Sequence, residues 1–225
     1  MWRLLLLVLI SVALGGTELE KARDAQDRAA LERIAGQLSA AAQKQPNDDG
    51  AQYKLALADS YVAEVAIELR DKNQAHSAAE AGIKAAERAV ALKPDVPEYY
   101  RILGTLCGQA VSANVIAGMK YGRCALDSVN KAIELNPKAS TNYISRGVGN
   151  YYLPPAFGGG IELAIKDFQK AIELDPQSAE AQLWLGIALR KASRNAEARK
   201  AFEKSLELNP ARVWARQQLD KTPAQ

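Results

Sequence analysis

Few residues in this chain of 225 amino acids could do acid–base or metal chemistry. His76 is the only histidine, and it lies among charged residues in the segment DKNQAHSAAE. One histidine cannot form a two-histidine metal site, and no familiar catalytic triad can be built around this one. Glu203 and Glu207 are four positions apart, as a general acid and base can be, but this spacing on a polar helix face is commonly ordinary surface charge. We therefore predict no catalytic residue, no metal site and no cofactor.

The segment LPPAFGGG at residues 153–160 has a composition that allows two interpretations. A glycine-rich loop that leads into a helix can hold an anion through its backbone N–H groups. However, the lysine and hydroxyl residue of a phosphate-binding loop do not follow it. In the second interpretation, the prolines end one helix and the glycines allow a sharp turn into the next.

The first sixteen residues, MWRLLLLVLISVALGG, resemble a secretory signal. One arginine precedes an apolar run that is too short to span a bilayer comfortably, and Ala13-x-Gly15 is a plausible cleavage site. We expect an exported protein, periplasmic or extracellular, with no stable membrane anchor once the signal is removed. An uncleaved interfacial anchor is the alternative.

Two cysteines, Cys107 and Cys124, belong to the two predicted helices of one helix pair. The midpoint between them falls inside the predicted turn near residues 112–118, so antiparallel helices could bring them opposite one another. An even number of cysteines in an exported protein suggests a disulfide, and two small buried thiols are the alternative.

The charges exclude one class of partner. The formal net charge is only +3, and basic residues are interspersed with acidic ones, so no basic surface for nucleic acid is expected.

The composition also indicates the fold class. Aromatic residues are 6% of the chain, which fits helix-on-helix packing better than sheets. No linker-like segment divides the chain, which predicts one domain.

The elements that would position any binding residue are set by a repeat. Four segments end alike, in AERAVALKP, VNKAIELNP, FQKAIELDP and FEKSLELNP, and the last two prolines are 34 positions apart. Within each segment a small residue, a bulkier residue and a second small residue follow at spacings of four and three, as in Ala198, Phe202 and Ser205. This spacing puts them on one helical stripe, and the proline then ends the helix.

Gly104, Gly147 and Gly186 each lie ten residues after a repeat proline, with Ala56 at the same register. Glycine costs about 1 kcal/mol in a helix interior relative to alanine, so this pattern predicts close helix contact there. The combined pattern, from about residue 48 to 210, resembles the tetratricopeptide (TPR) family. The resemblance implies an all-α fold, a right-handed α-solenoid of antiparallel helix pairs.

The predicted organisation follows the repeat. After the signal peptide (1–16), a single domain (17–221) contains an initial helix (17–45), helix pairs at about 48–94, 96–137, 139–176 and 178–210, and a C-terminal cap (211–220). The distance from the small residue to the next proline falls from 38 to 33, 29 and 24 residues. The extra residues fall between the two helices of a pair, around 66–78, 113–121 and 153–160, so we expect the first pairs to overhang the rest. Arg146, Asp59 and Asn150 stand where the family usually has apolar side chains.

In proteins of this family the first helix of each pair lines a concave face that binds partners. Matching the family's groove positions gives Arg101 and Thr105 with Glu98, then Ile144, Val148, Tyr151 and Tyr152, then Leu183, Ile187, Arg190 and Lys191. The alternative is that these residues pack against the lengthened connections or an adjacent helix.

The resemblance implies a non-catalytic scaffold that binds a protein or peptide outside the cytoplasm. A second hypothesis is a small apolar ligand, as in TPR components associated with solute transporters.

Overall fold

The computed structural model describes residues 18–111, 115–155 and 158–224, and these ranges are all-helical. The predicted signal segment lies outside them. The helices are α1 (18–24), α2 (Arg28–Lys44), α3 (Asp49–Glu68), α4 (Lys72–Leu92), α5 (Pro97–Val111), α6 (Val115–Leu135), α7 (Ser140–Tyr152), α8 (Ile161–Leu174), α9 (Ala179–Lys191), α10 (Asn195–Leu208) and α11 (Val213–Asp220). They form a solenoid of five pairs, α1/α2 to α9/α10, followed by α11.

Three of the pairs are joined by the same tight turn. Its central residue is left-handed, with φ of 55° at Gln26, 64° at Arg70 and 61° at Ser193. In each turn the N–H of the next residue donates to the carbonyl five residues earlier, as Asp27 does to Ala22. This hydrogen bond satisfies a carbonyl at the end of the helix. The Asp27 and Asp71 carboxylates then accept N–H bonds at the start of the next helix.

This turn corrects the prediction of one long helix over residues 17–45. The structure divides that stretch at Gln26 into α1 and α2, which form an additional first pair. The sequence contains no glycine or proline at this turn, so the left-handed residue had no compositional signal.

The glycines predicted to mark close contact do so by receiving a ring from the next helix. A Cβ atom on Gly147 would lie 2.5 Å from Phe168, and one on Gly186 would lie 2.6 Å from Phe202. Both phenylalanines are fully buried. The repeated glycine and the bulky residue of the next helix are therefore two halves of one packing contact, which confirms the predicted close approach.

From α3/α4 onward the helix pairs shorten along the chain, but not through an inserted loop in α3/α4. Helices α3 and α4 contain 20 and 21 residues, whereas α9 and α10 contain 13 and 14. The residues near 66–78, predicted to enlarge the connection, continue both helices on either side of a tight turn. Where the structure describes the turn inside a pair, that turn is three residues long, except in α7/α8, whose helices are joined by residues 153–160.

The connection at 153–160 is a turn and offers no anion site in its described residues. The N–H groups of Gly158, Gly159 and Gly160 donate to the carbonyls of Pro155, Pro154 and Asn150 at 3.0, 3.3 and 2.9 Å. Gly158 and Gly160 have φ of 85° and 135°, which favour glycine. The glycines therefore serve the chain reversal, and their N–H groups are already bonded.

Cys107 of α5 and Cys124 of α6 form a disulfide, with their Cα atoms 6.0 Å apart. The turn between them includes residues 112–114, which lie outside the described ranges. The bond ties the two helices of the third pair together, as the disulfide hypothesis predicted.

Arg146 and Asn150, the polar residues of α7 that stand where apolar side chains were expected, donate hydrogen bonds to Asp167 of α8. Arg146 donates two hydrogen bonds to Asp167, at 2.6 Å from Nη2 and 3.1 Å from Nε, and Asn150 donates to the same carboxylate at 2.8 Å. Asp167 is buried. This network replaces the apolar contact expected there and satisfies the buried carboxylate.

Most of the buried apolar side chains in the described ranges form two separate clusters. One cluster draws its members from α1 to α6, and the other from α7 to α11. The solenoid therefore has two apolar cores that adjoin between α6 and α7.

Candidate functional site

The concave face of the solenoid is formed by the first helices of the pairs. Helix α3 contacts α5, α5 contacts α7, and α7 contacts α9, so these helices lie side by side on the inner side of the curve. The face is closed where the two ends of the solenoid meet. Asn209 donates to Asp24 at 2.8 Å, and Gln217 donates to Gln26 at 3.0 Å.

Arg212, in the connection between α10 and α11, lies at this junction. Its side chain is only 1% exposed. Nη2 lies 2.6 Å from Glu64 and 2.5 Å from Glu68, both on α3. Nε lies 3.8 Å from Asp24 and 3.6 Å from Glu180. One guanidinium therefore joins α1, α3 and α9.

We call the residues around this guanidinium the arginine cluster: Arg23, Asp24, Glu64, Glu68, Glu180 and Arg212. Burial raises the pKa of Glu64 to about 8, although Arg212 and Arg23 oppose the shift. Burial also raises the pKa of Glu68. The carboxyl groups outnumber the two guanidinium groups, so the cluster depends strongly on its cations.

A group of aromatic rings lies next to the arginine cluster, mostly buried in the second apolar core. The aromatic cluster consists of Tyr151, Tyr152, Phe168, Trp184 and Trp214. Trp184 is central: its ring centroid lies 5.3 Å from that of Trp214, 6.0 Å from Tyr151 and 6.4 Å from Tyr152. Its indole N–H donates to Glu180 at 2.9 Å, which links the two clusters.

Tyr152 is the exposed member of the aromatic cluster. It is 45% exposed and stands edge-on to Tyr151, with 4.9 Å between centroids. Lys191 lies at the same edge, with Nζ 4.2 Å from the centre of the Tyr151 ring. The surface therefore offers aromatic rings with a cation beside them.

The apolar residues among the other predicted groove positions belong mainly to the core. Ile144, Leu183 and Ile187 are buried in the second apolar core and so do not line an open surface, while Val148 is partly buried against it. Their periodicity reflects packing, as the alternative interpretation had it.

Polar contacts within the chain engage the remaining groove residues. Arg101 donates to Glu98 at 2.8 Å, and Thr105 shares a hydrogen bond of 3.0 Å with Ser145. Arg190 donates to the backbone oxygen of Gln218 at 3.1 Å, beneath the C-terminal residues. Of the predicted set, Tyr151, Tyr152 and Lys191 therefore lie together at the accessible edge.

Sequence reasoning missed the arginine cluster. Glu64 and Glu68 are four apart on α3, a spacing that is common for ordinary surface charge, and Arg212 follows the last repeat proline closely. The one sequence signal was that both glutamates lie on the first helix of a repeat pair, and the first helices line the concave face.

The residues considered for catalysis do not converge. His76 Nε2 lies 3.7 Å from Glu80, and Glu207 pairs with Lys204 at 2.7 Å on the surface of α10. Within the described ranges, no three histidine, cysteine, aspartate or glutamate residues are grouped so as to hold a metal ion. No helix in the same ranges has the length and apolar character needed to cross a membrane.

The stacked pairs, the glycine–phenylalanine contacts and the inward-facing first helices define a helical-repeat solenoid. A family model of the tetratricopeptide repeat matches residues 157–213. The match covers that segment, and the remaining helix pairs have the same helical-repeat fold.

Solved structures resemble the chain over most of its length. One is TTC0263, a thermophilic TPR protein of Thermus thermophilus, with 21% identity, a TM-score of 0.62, and coverage of 85% of this chain and 91% of that one. Another is the HusA haemophore of Porphyromonas gingivalis, with 18% identity, a TM-score of 0.63, and coverage of 80% and 93%. At these identities the likeness concerns the fold.

Proposed function

We propose that this protein is a non-catalytic scaffold that binds a peptide or protein partner outside the cytoplasm. The observation that carries the proposal is the exposed edge formed by Tyr151, Tyr152 and Lys191 on the concave side. TPR proteins bind peptide or protein partners. Most other predicted groove positions are committed to the core or to internal hydrogen bonds, so this edge is the best candidate contact.

The chemistry of the edge specifies the kind of segment it suits. Tyr152 presents a large ring with few rotatable bonds, which makes it an effective anchor at an interface. Lys191 is exposed and also donates to the Tyr151 carbonyl at 3.2 Å, which holds its ammonium at the ring. The edge suits a partner segment with an apolar side chain next to a carboxylate.

Action outside the cytoplasm is supported by two features. The first sixteen residues have the pattern of a secretory signal. The disulfide between Cys107 and Cys124 is a bond that persists in oxidising compartments. N-terminal sequencing of the protein recovered from the cell envelope tests the proposal, and a chain that starts at Met1 in the cytoplasmic fraction would contradict it.

The binding proposal is tested by affinity capture from native envelope extract with the protein and its Tyr152→Ala variant. We expect the alanine variant to lose a captured partner, with affinity reduced at least about tenfold, as for an aromatic anchor worth more than 1 kcal/mol. Leu163→Ala is the matched control, because Leu163 is exposed to a similar degree but lies on α8, a second helix. Equal capture by all three proteins would refute the role of this edge.

A second candidate function is the binding of a small apolar ligand, which the continuous aromatic cluster favours. One structural neighbour, HusA, is named a haemophore, so a protein of similar fold is described as a carrier of a small molecule. Native mass spectrometry of the purified protein distinguishes the two functions. A small-molecule adduct that is lost in Tyr152→Ala, with no captured protein, would favour this second function.

A further inference from the structure

The contacts that join the first and last parts of the solenoid are polar. Arg212 supplies the ion pairs to α3, and its Nη1 also lies 3.5 Å from the Arg23 carbonyl oxygen of α1. Asn209 and Gln217 add hydrogen bonds to Asp24 and Gln26. The junction is therefore a hydrogen-bonded and charged contact.

The apolar cores do not cross this junction. Leu19 and Ala22 of α1 belong to the first core, whereas Trp214 and Ala215 of α11 belong to the second. The two clusters share no member, so each half of the solenoid has its own apolar core. On one side the halves meet where α7 packs against α5 and α6, with Thr105 of α5 hydrogen-bonded to Ser145 of α7 at 3.0 Å. On the other side they meet through the arginine cluster.

A buried ion cluster is well suited to a contact that must open. Desolvation of the charges cancels much of their mutual attraction, so a buried ion pair contributes little net stability relative to apolar packing. Its geometry is nevertheless specific, because the planar guanidinium contacts Glu64 and Glu68 simultaneously. Such a contact selects one closed arrangement without making it very stable.

The closed arrangement also restricts the concave face. Trp184 and Trp214 are each only 8% exposed, and Arg212 lies 5.5 Å from the centre of the Trp214 ring. Glu180 contacts both Trp184 and Arg212. Release of Arg212 would therefore uncover aromatic surface next to the exposed Tyr152.

We propose that Arg212 is a clasp that holds the two ends of the solenoid together, and that its release opens the concave face by movement of α7 relative to α5 and α6. Only the role of this opening, which is to admit a partner to the inner aromatic rings, rests on the proposed function. The opening itself is a property of the chain alone.

Hydrogen–deuterium exchange on the full-length protein tests the clasp without a partner. In Arg212→Gln we expect amide exchange at residues 18–24 and in α11 to become at least about tenfold faster, because removal of one partner leaves buried carboxylates unpaired. Exchange in the buried centres of α3, α4, α9 and α10 should stay unchanged, and small-angle scattering should give a larger radius of gyration.

The matched control is Arg194→Gln, which removes an exposed arginine paired with Glu197 at 2.6 Å. It should leave exchange at both ends unchanged. Asn209→Asp is a milder second perturbation, because it places a carboxylate beside Asp24 and retains the oxygen that accepts from Ala211. If Arg212→Gln does not fold, the Asn209→Asp result decides.

Unchanged exchange at both ends in the folded variants would overturn the clasp, and so would equally faster exchange in every helix. Neither outcome depends on a partner. Selective opening with no partner captured would leave the clasp standing and count against the proposed function.

Discussion

Asp59 should make the stability of this protein depend on pH. It lies on α3 and is 9% exposed. A Cβ atom added to Gly82 would lie 2.9 Å from Asp59 and 2.7 Å from Leu106, which shows how closely α3, α4 and α5 approach here. Burial raises the pKa of Asp59 from 3.8 to about 7. The native state therefore holds the proton more tightly than the unfolded state.

The sign and size of the effect follow from that difference. Below about pH 4 both states carry the proton, and Asp59 has no effect. Between about pH 4 and 7 the unfolded state ionises while the native state does not, so stability falls as pH rises. At about 1.4 kcal/mol for each pKa unit, the complete loss is about 4 kcal/mol.

The substitution Asp59→Asn removes the titration and keeps the shape. We expect the variant to match the parent at pH 4 and to exceed its free energy of unfolding by about 2–4 kcal/mol at pH 8. Urea unfolding followed by circular dichroism measures the difference. Glu64 and Glu68 titrate in both proteins, so their contributions cancel in the comparison.

Asp95→Asn is the control, because Asp95 is exposed in the connection between α4 and α5. It should show no such dependence on pH. A difference for Asp59→Asn that stays constant from pH 4 to 8, or a variant less stable at pH 8, would refute the reasoning.

Two further predictions concern packing and the disulfide. Gly186→Ala should lower the free energy of unfolding by about 1–3 kcal/mol, because its Cβ would overlap the buried Phe202 ring. Gly36→Ala, with open space around it, should instead raise it by up to about 1 kcal/mol; equal effects in urea titrations would contradict the packing argument. Reduction of Cys107–Cys124 should cost about 3 kcal/mol for a separation of 17 residues, and an unchanged urea midpoint with dithiothreitol would contradict this.

The sequence predicted the local packing because each contact there is encoded by residues close along the chain. Gly186 and Phe202 belong to adjacent helices, and their types follow from the space each helix leaves for the other. The pairing of Cys107 with Cys124 follows similarly from an antiparallel pair. Such contacts repeat, so each supports the interpretation of the others.

The sequence could not predict the closure of the solenoid. Arg212 and Glu64 are 148 residues apart in the sequence. Whether they meet in space depends on the summed rotations of all the helix pairs between them. The apolar groove positions were misassigned for a related reason, since a residue such as Leu183 has the same sequence pattern in a core as on a binding surface. The division at Gln26 was missed because a left-handed turn there lacks glycine.

The meeting of the two ends also limits how this architecture can grow. An open solenoid accepts an extra pair anywhere, since each unit contacts only its neighbours. Here an additional pair would carry Arg212 away from Glu64 and Glu68 and leave buried carboxylates without their cation. Duplication or deletion of a unit should therefore be tolerated poorly, and the number of repeats becomes a fixed property of the protein.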